Sequence, residues 1–160
     1  MMVVASEDSA MSDHNADDLS APTRPLPGGR SDRILLFAIR RIAVHGLDDA
    51  HAAHAIFTHF GLGYRRPLVL IRAMMAEIAR ASVLTVMVAP CCCTRMTKHE
   101  AVLLSAIEAG LDDAPRANAM LGELMGTHDT LGVLTTAQAV AQSFFDLGKP
   151  LSLYDQNIDS

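Results

Sequence analysis

Three adjacent cysteines, Cys91, Cys92 and Cys93, are the only thiols in this 160-residue chain, and they sit between Pro90 and a Thr-Arg-Met-Thr run. A thiol placed near a helix N-terminus and beside cations, here Arg95 and Lys98, is biased toward the thiolate, the form that attacks electrophiles and binds metals. In an extended loop, Cys91 and Cys93 point to one side and Cys92 to the other. Two thiolates joined by the imidazoles of the C-terminal half would form a tetrahedral zinc set from Cys91, Cys93, His99 and His128. The spacing lacks the C-x-x-C pairs of common zinc motifs. Free cysteine is also among the most buried residue types, so simple packing accounts for the run as well.

The other polar residues give weaker patterns. His51 and His54 share a helix face behind Asp48 and Asp49, but two ligands on an exposed helix bind a metal weakly. His45 and His59 fall near helix C-termini, where a protonated ring complements the macrodipole without any chemical role. His128-Asp129 lacks an accompanying nucleophile motif. Between residues 31 and 80, seven arginines face four acids, whereas residues 95–160 hold four bases and nine acids. This polarity marks Arg65, Arg66 and Arg72 as an interaction surface for a protein partner or a second copy of the chain, and together with Arg80, Arg40 and Arg41 they suit an acidic partner or a phosphate, since guanidinium forks pair with both.

The elements that must position these residues are helical. Ser31 or Asp32 caps a first helix whose apolar stripe is Leu35, Ile39 and Ile42, ending at Gly46. Asp48 or Asp49 caps a second, closed by Gly61, and a short loop over residues 61–66 leads to a third with Pro67 in its first turn. Thr97 and Glu100 form a capping box for a fourth, and Asp113 with Pro115 opens a fifth that ends at Gly126. Thr135 with Gln138 predicts a last helix that stops before Gly148 and Pro150. The result is an all-α or almost all-α bundle of six helices. The β-branched run Val83 to Ala89 predicts one short strand, and Leu151 to Tyr154 is its expected partner.

Residues 1–30 are acidic and rich in Pro and Gly, and they read as a disordered arm ahead of a helical domain over residues 31–150 and a tail over 151–160. The net charge of −5 and the lack of a Lys-rich helix argue against nucleic acid, and an aromatic content of 4% removes stacking platforms. No apolar run approaches the roughly 18 residues that cross a bilayer, so no membrane partner is expected. Without a secretory signal pattern or a disulfide framework, the expectation is a cytoplasmic protein with reduced thiols.

The segments FGLGYRRPLVLIRAMM (60–75), APCCCTRMTKHE (89–100) and LGVLTTAQAVAQSFFDLGKPL (131–151) resemble a family of small bacterial proteins catalogued only as a domain of unknown function. The resemblance covers about residues 34–151. It implies a self-standing small protein and carries no activity, cofactor or site residue across. The reading that follows is a non-catalytic helical protein acting by protein–protein interaction, for which nine methionines supply adaptable apolar surface. Its rival is a zinc-binding or thiol-redox protein built on Cys91 to Cys93.

Overall fold

The computed structural model describes residues 2–4 and 21–153. Its body is mostly helical: α1 spans Arg30–His45, α2 Ala50–Phe60, α3 Arg65–Ala81, α4 Lys98–Ala109, α5 Ala114–Met125 and α6 Leu131–Asp146. The expected loop between α2 and α3 is instead a 3-10 turn, Gly61–Tyr64, with no non-helical residue on either side. Six expected helices therefore become five uninterrupted helical stretches among the described residues. Gly61, at φ 60°, reorients the chain at this junction, and Phe57 meets Tyr64 edge-on across it at 5.2 Å.

Most of the expected caps are present. Asp49 accepts the Ala52 N–H, Asp113 accepts the Arg116 N–H, and Thr97 with Glu100 forms the full capping box. Two helix starts differ. The N-cap of α1 is Gly29, because the Ser31 and Asp32 side chains are engaged elsewhere, at His59 Nε2 and at the Ser152 N–H. Helix α6 begins at Leu131 rather than Thr135. Thr135 lies inside the helix with its hydroxyl on the Leu131 carbonyl, and Gln138 donates to the Gly110 carbonyl, so the second expected box does not form.

The core lies where α3 packs along α6, α4 against α5, and α1 against α2. Leu35, Ile56, Ile71, Ile107, Leu121 and Phe144 are fully enclosed there. Burying one such side chain stabilises the fold by about 1.5–3 kcal/mol relative to leaving it exposed. Gly126 closes α5 in the left-handed region at φ 67°, and a side chain here would run into Leu84, whose N–H and that of Val83 both bond to the Met125 carbonyl.

Two strand pairs flank the helices. β1, Met2–Val4, runs parallel to β3, Val86–Val88, and β2, Arg24–Pro25, runs antiparallel to β4, Arg95–Met96. The predicted strand near Val83–Ala89 is thus present but shorter, and its partner is not the segment 151–153. That segment places Ser152 N–H on Asp32 and Leu153 N–H on Glu108 and buries Leu153. Tyr154 lies outside the described residues. The expectation of disorder over residues 1–30 is corrected at residues 2–4 and 21–30. There Leu26 packs on the core, Pro27 is buried, and the Pro27 carbonyl accepts the Arg33 guanidinium. The remainder of the arm lies outside the described residues.

Candidate functional site

Arg40 sits on the buried face of α1, 3% exposed, one turn after Leu36. Its Nε and Nη2 donate to the two carboxylate oxygens of Glu100 at 2.7 and 2.9 Å. Nη1 donates to the Pro90 and Cys93 carbonyls, and Nη2 also reaches the Arg95 carbonyl. Glu100 in turn accepts the Ala89 and Thr97 N–H groups, and the Thr97 hydroxyl donates to the Met87 carbonyl. One guanidinium and one carboxylate thus fix the whole path from β3 through the cysteines to α4. Bidentate pairing matters here, because a buried ion pair holds only when its remaining donors and acceptors are also satisfied.

The cysteines held by this clamp form a turn rather than an extended strand, closed by Cys93 N–H on the Pro90 carbonyl at 3.0 Å. Cys92 is exposed, while Cys91 and Cys93 are half-buried. Arg41, next to the clamp, grips Asp49 with Nε at 3.1 Å and Nη2 at 2.7 Å and approaches His51 Nδ1 at 2.9 Å. The Arg41 hydrogen bond, aided by the Ala52 N–H, pulls the Asp49 carboxyl down to about 2. Asp49 in turn raises the Arg41 guanidinium, and Cys91 lies within electrostatic reach of it and raises it further.

Among the described residues, no three His, Cys, Asp or Glu side chains converge where a metal ion could be held. Cys91, Cys93, His99 and His128 are accordingly not brought together as a ligand set. His99 accepts the Met87 N–H through Nδ1 at 2.8 Å, which fixes the ring beside β3. Burial, with help from the Lys98 charge, pushes its pKa down. His128 lies on the wall of a separate cavity with Asn118, Thr127 and Thr130.

Of the arginines singled out by charge, Arg65 is exposed, Arg66 bonds to Asp146 at 2.9 Å, and Arg72 is half-buried with its Nε lacking a partner among the described residues. Arg80 is held by Glu77 and Asp129. Arg65, Val69 and Arg72 follow at i, i+4 and i+7 on α3, so they share a helix face. Val69 is 60% exposed, Phe145 beside Asp146 is 61% exposed, and Leu62 is 94% exposed. Leu147 lies against Gly63, next to Leu62. Exposed apolar side chains and arginines therefore lie on α3, on the turn before it and on the end of α6, and α3 packs along α6. Met74, Met75, Met96 and Met125 are buried in the core and do not belong to this surface.

Two groups escaped sequence reasoning. Arg40 was counted as surface charge although it falls four residues after Leu36 on an apolar stripe, and a charge at a core position is the signal that would have found it. His59 was read as a helix-end histidine. It follows Ile56 by three residues on the buried face, is 6% exposed, and bonds Ser31.

A family of unknown function (DUF6628) matches residues 11–143, most of the chain. The chain belongs to that family. No curated protein and no solved structure matches it. Membership of the family assigns no chemistry to the cysteine turn or to the exposed surface of α3 and α6. No helix among the described residues is long and apolar enough to cross a membrane.

Proposed function

We propose that this chain is a non-catalytic binding protein that works by association through the α3–α6 seam, with a second copy of itself as the partner. The observation that carries the reading is that Leu62, Val69 and Phe145, on elements that pack together, are each more than half exposed, with Arg65 and Arg66 in the same segment of α3. Soluble proteins rarely leave such side chains grouped at a surface without a partner. Charge complementarity favours a second copy, because residues 95–160 carry nine acids against four bases. Sedimentation velocity across a concentration series tests it. Self-association that weakens with salt, and that is lost in Phe145→Ser and Arg65→Glu, is the expected result. A strict monomer at low salt overturns the reading.

A second reading, thiol chemistry at the cysteine turn, is favoured by the reach of Arg41 to Cys91 and by the exposure of Cys92. Zinc held by Cys91 and Cys93 with His99 or His128 would require those groups to converge on rearrangement of the turn. Metal analysis of protein purified under reducing conditions tests that version. Stoichiometric zinc lost in Cys91→Ser supports it, and metal-free protein dismisses it.

A further inference from the structure

A cavity of about 490 Å³ opens at the start of α1, lined by Gly29, Arg30 and Ser31 from the first turn, His59 from the end of α2, and Lys149 and Ser152 from the C-terminal segment. His59 is 94% enclosed by the relative exposure of 6%, and its Nε2 lies 3.1 Å from the Ser31 hydroxyl. Its other ring nitrogen, Nδ1, has no partner among the described residues. Whichever tautomer is present, a buried imidazole on this wall keeps one unused donor or acceptor, and such a group is costly unless something binds it.

Positive charge converges on the same ring. Burial pushes the His59 pKa down, and Lys149 and Arg30 push it down further, so both cations lie within electrostatic reach of it. The Lys149 ammonium donates to the His59 carbonyl and stands 6.0 Å from the Phe60 ring centre, which fixes its position. Neither Arg30 nor Lys149 has a carboxylate partner among the described residues, whereas Arg40, Arg41, Arg66 and Arg80 all do. The 16-residue helix α1 begins here with Gly29, which has no side chain to cap it, so first-turn N–H groups add partial positive charge. The opposing charge is Asp32, whose Oδ2 accepts the Ser152 N–H at 2.8 Å. Among the described residues, two cations and a helix end stand against one carboxylate at this cavity.

We propose that this cavity is an oxyanion-binding site that takes the phosphate of a small phosphomonoester, with Arg30 and Lys149 as charge partners, the His59 Nδ1–H and the first-turn N–H groups as hydrogen-bond donors, and the Ser31 hydroxyl donating to His59 Nε2. The same oxyanion chemistry is offered by a carboxylate, and the two sources are separated by the probe. Helix N-termini combined with Arg, Lys and an imidazole N–H suit phosphate because each supplies an N–H to a tetrahedral set of oxygens.

The test uses the full chain at constant ionic strength, with inorganic phosphate and acetate titrated against chloride. Both the melting temperature and the proton resonances of the His59 ring are followed. A saturable rise in melting temperature with phosphate, together with a saturable shift at His59, is expected. Lys149→Met and Arg30→Gln should each weaken binding by about tenfold, the loss expected when a charged hydrogen bond is removed. Lys149 and Arg30 are both exposed, so these variants retain the fold, and circular dichroism checks this. Saturation by acetate alone keeps the oxyanion site and assigns it to a carboxylate. Responses that do not saturate with either anion, or that are equal in wild type and both variants, overturn the proposal.

Discussion

The Arg40 clamp and the His59 cavity wall are both buried polar joints that tie distant parts of the chain, yet they are finished differently. Arg40 uses Nε, Nη1 and Nη2 on a carboxylate and three carbonyls that belong to one connected path. Among the described residues, His59 uses one ring nitrogen on Ser31 and leaves the other unpaired, in a cavity bordered by Arg30 and Lys149, neither of which has a carboxylate partner there. A joint with every donor satisfied stabilises and shapes the fold. A joint with a polar atom and charge to spare costs stability and is suited to receive a ligand.

The sharpest way to break this contrast is to remove each joint. Arg40→Met should cost about 3–5 kcal/mol in chemical denaturation, because Glu100 would be left buried without its charge partner. The double variant Ser31→Ala/His59→Leu should stay within about 1 kcal/mol of wild type, since it removes an incompletely paired group along with its one bond. A larger loss at Ser31 and His59 than at Arg40 would reverse the comparison.

Deleting residues 1–30 comes next in size. It removes β1 and β2, the Pro27 acceptor of Arg33 and the Gly29 cap, and should lower the melting temperature by more than about 3 °C. An unchanged melting temperature would restore the view of these residues as an independent arm.

The pH dependence separates the two regions more finely. The pKa values of His59 and His99 are depressed from 6.5, so the unfolded chain binds more protons than the folded one below that pH. Their contribution is complete above pH 6.5 and is lost as the pH falls through the folded values. Melting temperature should therefore drop between pH 7.5 and 5.5, and His99→Asn should flatten part of the slope. Asp49, held at about 2 against its ordinary 3.8, contributes stability above pH 3.8 that disappears as the pH falls toward 2. Asp49→Asn should remove that acid limb.

The smallest effect concerns thiol rates and leaves the fold untouched. A maleimide should label Cys92 first, and Cys91 and Cys93 more slowly, following their exposure on the turn. Equal rates for all three would show that the clamp does not hold the turn in native protein.

Helix caps were legible because they are local: Asp49, Thr97 with Glu100, and Asp113 each satisfy N–H groups within three residues. The strand partner of Val86–Val88 is not legible because β1 holds three residues with no flanking turn signal. The clamp and the cavity were hidden for a stronger reason. Arg40 meets Glu100 across 60 positions and Ser31 meets His59 across 28, and a residue's type and neighbours can mark it as buried but do not encode which distant group it meets. The exposed surface is half legible, since Arg65 and Arg66 stand out by charge, while nothing in the sequence pattern marks Val69 and Phe145 as exposed.

The parallel pairing of Met2–Val4 with Val86–Val88 also sets an order of events. Its partners are separated by about 80 residues, so this contact carries one of the larger loop-closure costs in the chain. During synthesis the first strand leaves the ribosome well before its mate exists, and the Arg40–Glu100 clamp can only close once α4 has followed. Until then the two valines of β3 that face inward have no cover from the N-terminal side, and the nascent chain carries an unpaired strand edge open to other chains. Strand β1 therefore becomes native long after it has been synthesised.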